Sequence, residues 1–175
     1  MVADNKIFVF MFLAVAGLIY VNRERVMSAV TGWKSAPNAD KYLPTLNAAE
    51  RRHGIPPDLL ARMAYQESRF RDDIVSGRLS SPAGALGIMQ IMPKWHPGVN
   101  PLDVPAAIDY AARYVKGLRN KLGSWKLAVA AYNAGPGNVQ KYDGIPPFPE
   151  TQAYVHNVFN DLIASASPSQ RALYA

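Results

Sequence analysis

The sequence predicts a mainly α-helical domain with one transmembrane helix in front of it. Residues 7–21 are apolar and uncharged, and nothing later in the chain resembles them. From residue 44 onward, helix start and stop signals recur, whereas no stretch alternates apolar and polar residues like a half-buried strand. The predicted divisions are an N-terminal flank at 1–6, an anchor or signal-like segment at 7–21, a tether at 22–43, a helical domain at 44–165 and a flexible tail at 166–175.

The apolar segment 7–21 is a marginal membrane span. At about 1.5 Å per residue it covers about 22 Å of a roughly 30 Å hydrocarbon core, and Lys6 and Arg23 can reach the headgroups from its two ends. The basic residues after it, and the lack of a clear small-x-small cleavage site, favour an uncleaved anchor over a cleaved signal peptide. A buried core helix is disfavoured because every face is apolar. Lys6 before the segment, against Arg23 and Arg25 after it, favours a cytoplasmic carboxyl side.

Glycines, prolines and capping residues predict the bounds of five helices. Gly54 ends the first helix, and Pro56 and Pro57 restart the chain into the second. Asp103 and Ser124 are suited to cap the third and fourth helices, each of which runs into a glycine. The predicted helices are 45–53, 56–68, 104–122, 124–134 and 149–164, with long functional loops at 69–83 and 135–149. A short hairpin in the first of these loops is an alternative.

Composition and charge exclude several classes of function. Nineteen Lys plus Arg against thirteen Asp plus Glu favour polyanionic surroundings such as nucleic acid, anionic lipid or cell wall. The basic residues are scattered and form no helical stripe, so the sequence predicts no nucleic-acid partner. The absence of cysteine excludes disulfides, thiolate metal sites and cysteine nucleophiles. Because the three histidines share no ligand spacing and no GxSxG elbow occurs, neither a metal, another cofactor nor a serine triad is expected.

One glutamate falls on the apolar side of a predicted helix. In the helix 56–68, the buried stripe includes Met63 and Ala64, and Glu67 follows them at i+4 and i+3. Desolvation there disfavours the ionised carboxyl and raises its pKa, which suits a general acid near neutral pH. The alternative is a glutamate at the helix end that rotates into solvent.

Four sequence blocks then resemble one enzyme family. The blocks are ESRF from Glu67, SPAGALGIMQIMP from Ser81, AVAAYNAGPGNV at 128–139 and ETQAYVHNV from Glu150. Together, and in this order, they resemble the soluble lytic transglycosylases, the goose-lysozyme-like enzymes that cleave peptidoglycan. The resemblance covers about residues 44–160, and it implies a lysozyme-like helical domain with a substrate cleft.

The resemblance implies that Glu67 is the catalytic acid and assigns substrate-binding roles to seven other residues. Ser81, with Ser80 as the alternative, contacts the acetamido region of the sugar, and the glycines after it allow close backbone approach. Gln90 and Met92 lie beside the sugars on a short helix. The remaining candidates are Tyr132, Asn133, Glu150 and Tyr154. For Tyr132 a purely packing role stays open, and for Glu150 a role as a partner of the helix dipole.

The implied reaction uses a single carboxyl. Glu67 protonates the oxygen that joins N-acetylmuramic acid to N-acetylglucosamine and then takes the proton of the C6 hydroxyl, which closes a 1,6-anhydro ring without water. A hydrolytic lysozyme with Asp72 or Asp73 positioning water is one rival. A non-catalytic glycan-binding envelope protein is another. The stretch 69–83 is about five residues longer than the family pattern, as surface loops tolerate, so it could tune substrate access.

The expected partners are peptidoglycan glycan strands and, through residues 7–21, a membrane. Activity on the wall requires a catalytic domain on the periplasmic or wall side, and we give these motifs more weight than the flanking charges. A phage virion protein acting at entry and a component of a bacterial secretion or conjugation assembly both fit a small tethered bacteriolytic enzyme.

Overall fold

The computed structural model describes residues 32–165 and residue 174. The predicted anchor at 7–21, the flank before it and most of the predicted tail lie outside the described residues. None of the helices within the described part is both long and apolar enough to cross a membrane.

The described chain is mainly helical, as predicted. A 3-10 turn, Trp33–Ser35, precedes seven α-helices in this part of the chain. They are α1 Ala39–His53, α2 Leu59–Ser68, α3 Asp72–Val75, α4 Val104–Leu122, α5 Trp125–Ala134, α6 Pro136–Lys141 and α7 Pro149–Ser165. Between residues 32 and 165 the only β pairing is an isolated antiparallel bridge that joins Leu86 to Ile91. The alternative of a hairpin within 69–83 is therefore wrong, since that stretch contains α3.

Two helix starts follow the predicted capping chemistry. The Asp103 side chain accepts a hydrogen bond from the Ala106 amide at the start of α4. Ser124 does the same for the Lys126 amide at the start of α5. Because these caps satisfy amides that have no partner inside the helix, they fix both starts at the residues expected from the sequence.

The predicted tether ends earlier than residue 43. Helix α1 begins at Ala39 and contains Pro44, and Trp33 before it is buried in the core. A proline inside a helix removes one backbone hydrogen bond, and prolines are therefore more common at helix starts. For this reason the sequence indicated that the helical domain begins at Pro44, and not before it. Tertiary contacts compensate: Tyr42 is buried, and the Asn38 side-chain amide donates to the Phe70 carbonyl at 3.0 Å.

Helix α5 lies at the centre of the packing. It packs against α4, α6 and α7, while α2 packs against α1 and α7. Ala128, Ala130 and Ala131 are buried in α5. Because their side chains are small, the neighbouring helices can pack close to the α5 backbone. This arrangement brings the carboxyl end of α2, the carboxyl end of α5 and the first turns of α7 to one region.

Candidate active site

Glu67 lies in the last turn of α2 and is almost completely buried, with 1% of its surface exposed. The Tyr154 hydroxyl donates a 2.6 Å hydrogen bond to its Oε1. Its Oε2 is buried and has no hydrogen-bond partner among the residues that the structure describes. The alternative of a solvent-facing glutamate at the helix end is therefore wrong.

Burial raises the pKa of Glu67 to about 8, as the sequence predicts in direction. The hydrogen bond from Tyr154 acts in the opposite sense and lowers the pKa, because it stabilises the ionised form. The charge of Glu150 raises the pKa further, and that of Arg69 lowers it. At neutral pH the carboxyl therefore holds a proton that it can give to a bound substrate.

The backbone directly after Glu67 ends the helix by a sharp turn. Arg69 and Phe70 both have positive φ angles, 51° and 56°, which non-glycine residues rarely adopt. The Ser68 hydroxyl donates to the Ala64 carbonyl at 3.0 Å and accepts from the Phe70 amide at 3.2 Å. The Phe70 ring is fully buried. The buried ring and the two hydrogen bonds of Ser68 together stabilise the turn that directly follows Glu67.

Tyr132 and Asn133 connect the end of α5 to two other parts of the site. The Tyr132 hydroxyl donates to the Met89 carbonyl at 2.8 Å. Asn133 Oδ1 accepts a buried 2.7 Å hydrogen bond from the Thr151 hydroxyl in α7. Gly135, expected to adopt a left-handed cap, has a positive φ of 84° with an extended ψ of 142°. It ends α5 and begins the short α6.

Ser81 organises its own loop. Its hydroxyl oxygen accepts from the Ala85 amide at 2.8 Å, and its carbonyl accepts from the Gly84 amide at 2.8 Å. The Ser81 side chain is buried, whereas Ser80 is exposed. The hydroxyl proton of Ser81 is not used by these bonds, so it remains available as a donor.

Gln90 and Met92 do not lie on a helix, contrary to the sequence prediction. Residues 87–90 form a turn, which the reciprocal backbone hydrogen bonds of Leu86 and Ile91 close at 3.0 Å each. Gln90 has a φ of 46°, and its side-chain amide donates to the Gly87 carbonyl at 3.0 Å. The bridge explains the difference, because it holds residues 86 and 91 opposite each other instead of in helical register.

The glycines were expected to let the backbone approach a bound sugar closely. In the structure, the close approach at Gly87 is to another segment of the same chain. A Cβ on Gly87 would lie 1.9 Å from the Pro101 carbonyl oxygen, whereas one on Gly84 would meet nothing within 4 Å. Gly87 therefore allows the loop before the site to pack on the segment that leads into α4.

Four of the predicted site residues line one cavity of about 250 Å³. These four are Gln90, Met92, Tyr132 and Asn133. Glu67, Ser81, Glu150 and Tyr154 are not among its lining residues. Tyr132, which lines this cavity, lies close enough to Glu67 to be affected by its charge. Burial, and next the charge of Glu67, raise the pKa of the Tyr132 hydroxyl. Glu150 is exposed in the first turn of α7, close enough for its charge to act on Glu67.

An aromatic wall that the sequence analysis missed completes this cavity. Its members are Trp95, His96, Tyr110 and Tyr114. The Tyr110 hydroxyl and His96 Nδ1 are 2.7 Å apart, and the rings of Tyr110 and Tyr114 stack with centroids 6.3 Å apart. The spacing of the two tyrosines, i and i+4 on α4, was the available signal. Aromatic faces of this kind suit the apolar faces of sugar rings.

No group of three or more side chains able to hold a metal ion occurs among the described residues. The two aspartates suggested for a hydrolytic reaction are engaged elsewhere. Asp72 accepts from Lys41 and Tyr42, and Asp73 accepts from Arg71. Both carboxyls have a pKa below the ordinary value, chiefly because of these hydrogen bonds.

The proteins similar to this chain include lytic transglycosylases and a lysozyme. The family model described as the transglycosylase SLT domain matches residues 44–155. The soluble lytic murein transglycosylase of Escherichia coli K12 is 32% identical over 131 residues, which cover 59% of this chain and 20% of that protein. The membrane-bound lytic murein transglycosylase C of Actinobacillus pleuropneumoniae is 26% identical over 77% of this chain and 42% of that protein.

A solved structure shares the fold. The crystal structure of the 70 kDa soluble lytic transglycosylase from Escherichia coli matches with a TM-score of 0.59 and 28% identity, over 81% of this chain and 25% of that one. The lysozyme g of Epinephelus coioides is 28% identical over 61% of this chain and 64% of that protein. The chain thus spans less than half the length of the lytic transglycosylases that it matches. Because the family model covers well over half of the sequence, the chain belongs to the transglycosylase SLT domain family.

Proposed function

We propose that this protein is a peptidoglycan lytic transglycosylase. It cleaves the β-1,4 bond between N-acetylmuramic acid and N-acetylglucosamine and leaves a 1,6-anhydro end. The observation that carries the proposal is Glu67, a buried carboxyl whose pKa is raised to about 8 and which accepts a hydrogen bond from Tyr154. Family membership supports the same activity.

In the first step Glu67 acts as an acid. Tyr154 occupies Oε1, so Oε2, which has no partner among the described side chains, is the oxygen that carries the proton. The proton passes to the glycosidic oxygen as its bond to C1 breaks. The acetamido group of the same sugar supports the positive charge at C1, in place of a second enzyme carboxylate.

In the second step the same carboxyl acts as a base. Ionised Glu67, stabilised by the Tyr154 hydroxyl, accepts the proton of the C6 hydroxyl. The C6 oxygen then bonds to C1 and closes the anhydro ring. The proton returns to Glu67 and no water is consumed, so one residue completes the cycle.

The other predicted residues have supporting positions for binding. Gln90, Met92, Tyr132 and Asn133 line the aromatic-walled cavity, where we propose that sugar rings lie. We assign Ser81 to the acetamido group through its free hydroxyl proton. Tyr154 contacts Glu67 directly, and we place Glu150 at the edge of the cleft.

We further propose that residues 7–21 anchor the chain in a membrane, with the catalytic domain facing the periplasm or wall. The support is the apolar sequence itself, together with a relative whose name is membrane-bound lytic murein transglycosylase C. Such a tethered enzyme would open the wall locally, within a bacterial envelope assembly or a phage virion.

The test is digestion of purified peptidoglycan by the full chain and by Glu67→Gln, with mass spectrometry of the released muropeptides. Muropeptides lighter by one water than the hydrolytic products, absent with Glu67→Gln, are the expected result. Reducing-end products would instead indicate a lysozyme. No release by the folded full chain would indicate a glycan-binding protein.

A further inference from the structure

A cluster of basic side chains lies where the carboxyl-terminal part of α1 packs against α4. Asp109 on α4 accepts hydrogen bonds from Arg52 at 2.7 Å and from Arg113, and both arginines are exposed. His53 Nε2 lies 2.8 Å from the same carboxylate. Elsewhere in the described chain, each ion pair joins one cation to one carboxylate. At Asp109, a single carboxylate serves two arginines and a histidine.

Two more cations extend the cluster toward the start of α5. The Lys116 ammonium lies 3.4 Å from the Gly54 carbonyl oxygen and 5.4 Å from the centre of the Trp125 ring. The Arg119 guanidinium lies 6.0 Å from the same ring. Neither cation has an ion pair with a carboxylate among the described residues. We call Arg52, Arg113, Lys116 and Arg119 the basic surface, in which four positive charges adjoin the one carboxylate of Asp109.

The fold assembles the basic surface from distant parts of the sequence. Arg52 and Asp109 are 57 positions apart, so the basic residues look scattered along the chain. On α4 itself, residues 109, 113 and 116 share one face, because they follow at i, i+4 and i+7. Tyr110 and Tyr114 are turned by about 100° from residues 109 and 113 around the same helix. None of the basic residues lines the aromatic-walled cavity, so a partner on this surface need not cover it.

An apolar groove of about 360 Å³ adjoins the basic surface between α1 and α4. Arg52 and Asp109 lie at its edge, and the exposed Pro44 and Pro105 belong to its walls. The rest of the lining is Thr45, Ala48, Ala49 and Ile108. Cations beside an apolar groove match an amphipathic anion such as a phospholipid, whose phosphate and apolar part both find a partner. A soluble polyphosphate would use the arginines and leave the groove empty.

We propose that the basic surface and its groove dock the catalytic domain on anionic phospholipids of the membrane that residues 7–21 enter. The inference rests on the proposed anchor and deepens it: docking would confine the domain to the wall layer next to the membrane. Guanidinium groups bind phosphates in a bidentate manner, and each basic side chain near an anionic lipid surface adds to the attraction.

The chain between the anchor and the domain is long enough for this contact. Residues 22–31 separate the predicted anchor from the first described residue, and about ten extended residues reach about 33 Å. Helix α1, which leads from that end of the domain to the basic surface, is about 22 Å long. The tether therefore lets the domain turn this surface to the membrane.

The experiment uses the full chain reconstituted into vesicles. One set is phosphatidylcholine alone, and the other is three parts phosphatidylcholine to one part phosphatidylglycerol. Because the sequence contains no cysteine, Asn120→Cys gives a single site for a fluorophore, one turn beyond Lys116 on the same face of α4. Lipids that carry a nitroxide at the headgroup quench this fluorophore when the surface docks.

Two double variants remove equal charge from different places. Arg113→Gln with Lys116→Gln weakens the basic surface. Lys34→Gln with Lys41→Gln is the matched control, since both of these lysines are exposed and lie near the start of the domain. All four residues lie outside the proposed catalytic and sugar-binding machinery, so turnover of soluble glycan strands should stay unchanged in both variants.

We expect strong quenching only in the vesicles that contain phosphatidylglycerol. The ratio of docked to undocked domain should fall about tenfold in Arg113→Gln with Lys116→Gln, and it should fall when salt is added. The control variant should stay close to the unmodified chain. Equal quenching in the two kinds of vesicle, or an equal loss with both double variants, would overturn the proposal. So would binding to soluble poly(glycerol phosphate) as tight as to the vesicles at equal phosphate concentration, since the groove would then add nothing.

Failure of the proposed anchor or activity is seen separately. A chain without an anchor would not float with vesicles of phosphatidylcholine alone. If it still floats with the phosphatidylglycerol vesicles, and Arg113→Gln with Lys116→Gln abolishes this, the docking surface is supported and the anchor contradicted. Release of anhydro products from soluble glycan strands, measured without vesicles, tests the activity whatever the lipid result.

Discussion

Glu67 has two neighbours that act on its charge in opposite directions. The Tyr154 hydroxyl stabilises the carboxylate, and the negative charge of Glu150 destabilises it. A carboxyl that first gives a proton and then accepts one must be able to adopt both its protonated and its ionised form at the working pH. The two neighbours can therefore be tested separately through the pH dependence of the reaction.

Tyr154→Phe should move the basic limb of the kcat/KM profile to higher pH. The substitution removes the hydrogen bond that lowers the pKa of Glu67, so the carboxyl stays protonated further into the alkaline range. In the unmodified protein we expect this limb near pH 8, where Glu67 loses its proton. The measurement is release of anhydro products across pH 5–10. A basic limb that moves down, or does not move, would contradict this role of Tyr154.

Glu150→Gln should move the same limb in the opposite direction. It removes a negative charge that raises the pKa of Glu67, so the acid is lost at lower pH than in the unmodified protein. The shift should shrink in high salt, because Glu150 is exposed and its field is screened. Glu24→Gln, which lies outside the predicted catalytic domain, is the charge-matched control. An unchanged limb would leave Glu150 with no electrostatic role at the acid.

At the scale of the elements, one buried hydrogen bond joins α5 to α7. Thr151→Val removes the donor to Asn133 Oδ1 and leaves that buried oxygen unsatisfied. We expect the free energy of unfolding to fall by about 1–3 kcal/mol, measured by urea denaturation. Thr151→Ser keeps the hydroxyl and should lose clearly less. Equal losses for Val and Ser would show that the methyl group, and not the hydrogen bond, matters.

Residue 87 must be a glycine because the segment before α4 packs directly against it. Gly87→Ala places a Cβ 1.9 Å from the Pro101 carbonyl at a φ of 75°, so the turn or the segment before α4 must move. Gly84→Ala has a similar φ of 85° with open space around it, and it should lose only about 1 kcal/mol of stability. We expect the loss for Gly87→Ala to exceed this by about 2 kcal/mol or more in urea unfolding. Similar losses for the two variants would contradict the close approach.

The sequence could predict the elements whose ends are decided locally. Asp103, Ser124 and the glycines that follow α4 and α5 act on their own helices, so capping rules place those bounds correctly. The start of α1 depends instead on the burial of Trp33 and on neighbours distant in sequence, which no local pattern contains. The resemblance implied a helix for Gln90, and a backbone bridge makes it a turn.

For the site, the direction of the Glu67 pKa follows from helical spacing, because the same stripe that buries Met63 also buries the carboxyl. The partner of that carboxyl required the fold: Tyr154 lies 87 residues further along the chain.

Over the whole molecule, buried carboxyls and exposed ion pairs give stability opposite dependences on pH. Burial raises the pKa of Glu50 to about 7, although its carboxylate accepts from the Asp58 and Ala61 amides. Both Glu50 and Glu67 therefore oppose folding increasingly above about pH 4.5. Asp109, whose pKa its His53 and Arg52 partners lower, supports folding above pH 3.8 and loses that effect in acid. His96, whose pKa burial lowers, opposes folding below about pH 6.5, where the unfolded state takes up a proton that the folded state resists.

Comparing Glu67→Gln with the unmodified chain isolates the contribution of the acid from these other groups. Below pH 4.5 the Glu67 carboxyl is protonated in both the folded and the unfolded state, so the two proteins should have similar stability. As the pH rises, the unfolded state ionises first, and the folded state keeps its proton until about pH 8. The unmodified protein thus loses stability that the glutamine variant keeps. By pH 8 the variant should be more stable by about 2–4 kcal/mol, measured by urea unfolding followed through tryptophan fluorescence. A difference that stays constant from pH 4.5 to 8 would mean that Glu67 is not desolvated in solution, and the proposed acid would lose its physical basis.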